Sequence, residues 1–155
     1  PQDCFLLLRG IKTLKVRLDQ QLKTALQFAT WLEEQSLVSR VYYPGLKSHP
    51  DHKLISEQAN GYGAMISFQV QDEKVARHIL QGVKLASIGV SLGAVASILT
   101  HPATMSHASI PKEVREEKGI TDSLLRLSVG LEEFEDLKQD FDAVFQSLEE
   151  KALIK

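Results

Sequence analysis

Ser123-Leu124-Leu125-Arg126-Leu127-Ser128-Val129 alternates in polarity and is followed by Glu132, Glu133, Glu135 and Asp136 at the start of an amphipathic run. Side chains on a strand point to opposite faces in turn, so Leu125, Leu127 and Val129 are expected to enter a core. Leu124, Arg126 and Ser128 then face the other way, toward a helix, a partner or a ligand. A guanidinium carries parallel donors that match a carboxylate or phosphate better than a lysine does. Taken alone, the strand fits an arginine on a solvated sheet face better than one that holds an anion.

The helix after this strand has an acidic first turn, as the helix dipole favours, and an apolar stripe of Phe134, Leu137, Phe141, Val144, Phe145 and Leu148. Its tail is expected to fray. Upstream, Leu14, Leu18, Leu22, Ala25, Ala29 and Leu32 recur every three or four residues, which predicts a long amphipathic helix from Leu14 to Gln35. Val38 to Tyr43 reads as a strand closed by Pro44-Gly45, and Leu54 to Ala59 as a short helix. Ala64 to Val70 reads as a second strand with Ala64, Ile66, Phe68 and Val70 inward, and Asp72 as the cap of a helix running to Leu80. Lys84 to Val90 and Val95 to Leu99 are the remaining extended runs, with Ser91 at a strand end. Pro111 opens a helix that Gly119 ends. The sum is one α+β domain over residues 1–155, a mainly antiparallel sheet covered by helices, with a long N-terminal helix.

Composition narrows the function. The 155 residues are 43% hydrophobic and 25% charged with a net charge of -2, enough for one domain with its own core. The 18 Lys and Arg are interleaved with 20 Asp and Glu without a basic block, which argues against nucleic acid as a partner. Apolar runs such as Cys4 to Leu8 and Ile88 to Leu92 are far below the roughly 20 residues that span a bilayer, so no membrane partner is expected. A single cysteine, Cys4, suits a reducing compartment, and a cytoplasmic chain is the expectation. The chain opens on Pro1 without methionine and places five apolar residues in its first eight, which reads as a piece that packs against preceding sequence.

The usual chemical motifs are absent. His49 and His52 share a loop without a cysteine pair, and His101 and His107 lack a carboxylate at ligand spacing, so no metal site is expected. Gly61-Tyr62-Gly63 lacks the third glycine and the strand-to-helix context of a dinucleotide fingerprint. No nucleophile elbow is present.

Several segments in one order nevertheless carry a resemblance. They are Leu6-Leu-Leu-Arg9-Gly-Ile-Lys-Thr-Leu14, Tyr43-Pro-Gly-Leu46 with Ser48-His-Pro50, Gly61-Tyr-Gly63 leading to Met65-Ile-Ser-Phe68, Val90-Ser-Leu-Gly93, His101-Pro-Ala with Met105-Ser-His-Ala-Ser109, Gly119-Ile-Thr-Asp122 and Leu125-Arg-Leu-Ser-Val-Gly-Leu131. Over residues 4 to 148 the chain resembles the C-terminal domain of the pyridoxal-phosphate-dependent enzymes of cysteine and methionine metabolism. That family includes cystathionine γ-synthase, γ-lyase and β-lyase, and methionine γ-lyase.

The resemblance implies the small domain of a fold-type-I enzyme. Its large N-terminal domain, which would hold pyridoxal 5'-phosphate and the Schiff-base lysine, is not in this chain. It further implies that Arg126 pairs with the α-carboxylate of an amino-acid substrate and that Ser91 helps position that carboxylate. No lysine here matches the imine-forming one; Lys12 and Lys84 lie in family-like segments without that role. Val90 stands where several relatives place an acid suited to a distal ammonium, which tilts the expectation toward C–S lyase chemistry. Ala96 stands where many relatives have glutamate. Expected partners are the chain's own cofactor-binding domain, the amino-acid substrate and further copies in a homotetramer. A γ-replacement transferase and a non-catalytic carboxylate-binding or assembly domain are the alternatives.

Overall fold

A computed structural model describes residues 1–153, with side chains to Glu150. In chain order the elements are α1 (Gln2–Ile11), α2 (Leu14–Glu33), β1 (Val38–Tyr42), α3 (His52–Gln58), β2 (Met65–Val70), α4 (Glu73–Gly82), β3 (Ser87–Ile88), β4 (Ile98–Thr100), α5 (Lys112–Glu117), β5 (Leu124–Ser128) and α6 (Phe134–Leu153). The fraying expected of the tail falls largely outside the residues whose side chains are described.

The sheet has five strands in the order β1-β2-β5-β4-β3. Three of its four pairings are antiparallel and the last, β3 with β4, is parallel. The register sets Ile66 opposite Leu127 and Phe68 opposite Leu125, and Leu99 opposite Leu127. Directly opposed residues share a face, so these five form an apolar face, and each is fully buried.

Helices α2, α4 and α6 cover that face. Ala25, Phe28, Ala29 and Leu32 from α2, Ala76 and Ile79 from α4, and Leu137 and Phe141 from α6 are all at 0% exposure in the same core. Phe28 meets Phe141 edge-on at 5.0 Å between ring centroids, and Trp31 stacks on Phe145 at 5.5 Å. Each such large side chain contributes about 1.5–3 kcal/mol by leaving water, so the α2–α6 seam is a main source of stability. Asp72 caps α4 by accepting from the Val75 amide at 2.9 Å.

Several expectations need correction. The long helix is the second element, because Gln2–Ile11 forms its own helix with no buried residue. The stripe of α2 is buried only in its C-terminal half: Leu14 and Leu18 are exposed, and Phe28 and Trp31, absent from the expected stripe, join the core. Position on the sheet decides this, since α2 runs past the sheet and periodicity does not report where a neighbour ends. The strand expected over Lys84 to Val90 shrinks to Ser87–Ile88, and the one over Val95 to Leu99 shifts to Ile98–Thr100. Of the inward β2 residues, Ala64 precedes the strand and is only partly buried.

The entry to β5 is fixed by an ion cluster. Arg115 is buried and donates to the Ile120 carbonyl at 2.7 Å and to the Asp122 carboxylate. Lys112 reaches the other Asp122 oxygen at 2.7 Å. Buried His101 faces the Asp122 carbonyl through Nε2 and the Thr104 hydroxyl through Nδ1, both at 2.8 Å. The Lys112 hydrogen bond, aided by Arg115 and opposed by burial, holds the Asp122 carboxyl below its ordinary range. A carboxylate with a depressed folded-state pKa stabilises the fold above its unfolded value, about 3.9, and that contribution disappears as pH falls through the folded value. Asp122→Asn is therefore expected to cost about 2 kcal/mol at pH 7 and progressively less below pH ~4. Urea unfolding of both proteins across pH checks this; a difference independent of pH would contradict it.

Candidate functional site

β5 is the middle strand, and its alternation turns Arg126 to the face opposite the helical layer. Its cross-strand neighbours there are Ser67 on β2 and Thr100 on β4, two hydroxyls and no acid. Leu124 and Ser128, expected to share a free face with Arg126, are buried, and Arg126 alone on the strand is half-buried. The second face is thus covered by chain on both sides of an opening at the arginine.

The guanidinium is underused. Its Nη2 donates to Thr100 Oγ1 over a long 3.4 Å, and its Nε is buried without a partner. It joins none of the ion pairs among the described residues. A guanidinium has five N–H donors, and a desolvated cation left without an anion is costly. The geometry suits an incoming carboxylate or phosphate.

Residues 89–93 run along the same face and residues 94–97 lead back into β4, and both stretches are tied down. Thr100 Oγ1 donates to the Gly89 carbonyl, and the Gly89 amide donates to Leu99 O at 3.1 Å. The Gly93 amide donates to Ser128 Oγ at 3.0 Å; Ser128 lies two residues from Arg126 on one face of β5. Gly93 has φ +74°, which a side chain would strain. Gln21 of α2 donates to the Ala94 carbonyl at 2.9 Å, and the Leu131 amide to Val95 O at 2.8 Å.

These ties leave Val90, Ser91 and Leu92 exposed, Val90 at 57% and Leu92 at 59%. Ser91 is not at a strand end as expected: β3 stops at Ile88 and Ser91 sits in the loop beyond it. Its position is set by the anchors at Gly89 and Gly93.

Glu132 closes the far end. Its carboxylate accepts from the Ser97 amide and the Ser97 hydroxyl, each at 2.7 Å, while the same hydroxyl accepts from the Gly130 amide at 2.9 Å. Thr24 of α2 donates to the Glu132 carbonyl at 3.3 Å. The reading of residues in order set Ser128 on the face of Arg126 but gave it no partner, and it missed Thr100, Ser97 and Gln21 and the clamp made by Glu132. Gln21 and Ala94 are 73 positions apart, and no local pattern signals such a pair.

The described lysines are all exposed apart from half-buried Lys138 on α6. No group of three His, Cys, Asp or Glu converges as a metal-binding set among the described residues, and none of the described helices is long and apolar enough to cross a membrane.

Comparison with known proteins matches residues 1–146 to the family model described as Cys/Met metabolism PLP-dependent enzyme. Cystathionine beta-lyase MetC of Bacillus subtilis (strain 168) is 50% identical over 147 residues, covering 95% of this chain and 38% of the relative. The crystal structure of cystathionine gamma-lyase from Lactobacillus plantarum complexed with L-serine superimposes with a TM-score of 0.91 at 39% identity, over 96% of this chain and 39% of that one. Cystathionine gamma synthase from Xanthomonas oryzae pv. oryzae in complex with cystathionine gives 0.89 at 42% identity, over 94% and 38%. The chain spans about two fifths of the length of these relatives.

A Cβ at Gly130 would stand 2.4 Å from a Glu132 carboxylate oxygen and 2.5 Å from both Ala96 C and Ser97 N. Gly130→Ala must therefore push backbone away from the Ser97 clamp, at an expected cost of about 1–3 kcal/mol. Chemical denaturation measures it; a change under about 0.5 kcal/mol would mean the clamp yields freely.

Proposed function

Because the chain belongs to the Cys/Met metabolism PLP-dependent enzyme family, we propose that it is the C-terminal, substrate-orienting domain of a carbon–sulfur lyase acting on a sulfur amino acid. The observation that carries this is Arg126: a cation on the central strand, facing hydroxyls, with no carboxylate paired to it. Two parallel N–H donors and a substrate α-carboxylate are geometric complements. Ser91 is assigned a supporting role, its hydroxyl presented on a loop whose ends are hydrogen-bonded to β4 and β5. Val90 and Leu92 make much of the loop's exposed surface apolar, which suits the thioether segment of a sulfur amino acid, and carbon–sulfur lyase chemistry is the reading adopted over γ-replacement. The names of the relatives span β-lyase, γ-lyase and γ-synthase, and L-cystathionine is the substrate proposed from them.

The described residues fit the substrate side of such a site. Arg126 offers a cation for a carboxylate, whereas the described lysines are exposed apart from half-buried Lys138. The imine-forming lysine and the phosphate contacts are accordingly assigned to a further domain of the longer protein. Pyridoxal phosphate, when bound, supplies an electron sink for bond breaking at the amino acid's Cα. What this chain contributes is orientation, holding the carboxylate so that the bond to be broken keeps one direction, an effect worth several kcal/mol.

The cofactor-binding domain is also the partner we assign to the apolar surface. Phe5, Leu6, Leu7 and Leu8 of α1 are each more than half exposed, more contiguous apolar surface than a free domain usually shows. Assembly as a homotetramer and a cytoplasmic location complete the reading.

In the full-length protein, Arg126→Ala is expected to lower kcat/KM for L-cystathionine about 10²- to 10³-fold while the cofactor's absorbance is retained, the loss typical of removing one partner of a desolvated charge pair. Pyruvate as the keto-acid product identifies β-cleavage and 2-oxobutyrate γ-cleavage. Near-normal turnover by the variant would overturn the assignment of Arg126.

A further inference from the structure

Thr100 is fully buried and lies on β4 directly opposite Arg126. A threonine hydroxyl has one proton and two lone pairs. The proton goes to the Gly89 carbonyl, so the oxygen turns lone pairs toward the Arg126 Nη2, 3.4 Å away. Its branched Cβ restricts χ1, so this orientation is not easily lost.

One hydroxyl thus bridges two parts of the site. On one side is the guanidinium; on the other is the carbonyl of Gly89, two residues before Ser91. Gly89 is also held through its amide by Leu99, the residue before Thr100. The Nη2 contact is the only hydrogen bond found for the Arg126 guanidinium among the described side-chain contacts. Among the described residues no other hydrogen bond links the guanidinium to the Ser91 loop.

We infer that Thr100 is a positioning residue, whose hydroxyl sets the guanidinium of Arg126 and the Gly89–Ser91 backbone in one fixed relation so that both meet the substrate carboxylate together. This rests on the carboxylate role proposed for Arg126. A carboxylate that bridges Arg126 and the Ser91 loop needs both within a fraction of an ångström of the right place, and a hydroxyl shared by both supplies that registration. Thr100 does not touch the substrate; it acts through Arg126.

The test uses the full-length holoenzyme with L-cystathionine, and Thr100→Val, Thr100→Ser and Arg126→Ala alone and in combination. Thr100→Val keeps the shape and removes the hydroxyl. It is expected to raise KM roughly three- to tenfold with a smaller fall in kcat, whereas Thr100→Ser stays near the parent. In the Arg126→Ala background, Thr100→Val is expected to add nothing, because the group it positions is gone.

A second readout needs no turnover: phenylglyoxal modification of Arg126, followed by peptide mass spectrometry, should be faster in Thr100→Val. Where Thr100→Val does not fold, Thr100→Cys, a weak donor of similar volume, carries the same expectations. An unchanged KM and an unchanged modification rate would overturn the inference while leaving the Arg126 assignment intact. An equal KM penalty with and without Arg126 would do the same, as it would assign Thr100 to folding alone. A parent-like KM in Arg126→Ala would instead overturn the carboxylate reading and the positioning role with it.

Discussion

The alternation of β5 is the constraint from which the site follows. Leu125 and Leu127 are drawn into the layer made by α2, α4 and α6, and a strand that commits two leucines to one face must turn the residue between them to the other. Slipping the register by one would carry Arg126 into a core of Phe28, Phe68 and Phe141 and expel both leucines. The hydrophobic energy of the helical layer therefore fixes where the cation points. Arg126 need not contribute to stability to be held in place.

The opposite face is ordered by polar ties from Ser128 and Thr100, each of which places a hydroxyl against the backbone of residues 89–93; from the side of the helices, Gln21 of α2 and Glu132 secure residues 94–97. Such buried polar groups hold a single geometry because any other leaves donors and acceptors unpaired. The result is a loop without regular secondary structure whose ends are fixed and whose middle, Val90 to Leu92, is open. The Lys112–Asp122–Arg115 cluster acts one step upstream, fixing the turn from which β5 departs.

On the proposed reading this domain supplies aim rather than reactivity. Its relatives are proteins about two and a half times as long, and a cofactor that performs the bond breaking relies on its protein for orientation and electrostatics. An uncompensated guanidinium on a central strand is the group proposed to meet the first need. On the same reading, water excluded where a further domain packs against this one would strengthen each charge interaction inside.

Periodicity alone determined most of the elements: the amphipathic α2 and α6, strands β1, β2 and β5, and the Asp72 cap are written in local patterns of three to six residues. The placement of Arg126 was legible for the same reason, one cation in an alternating apolar strand, whereas Ser91 and Val90 were singled out by the order of short motifs and their roles belong to the proposed reading. Tertiary structure alone decided which half of α2 is buried, that Leu124 and Ser128 lie inside, and that Ser91 rides on a loop and not a strand end. It alone brought Thr100, Gln21, Ser97 and Glu132 to the site. Hydrophobic pattern is a property of neighbours along the chain, whereas these contacts join residues up to about a hundred positions apart, and only the sheet order β2-β5-β4 sets Arg126 between Ser67 and Thr100.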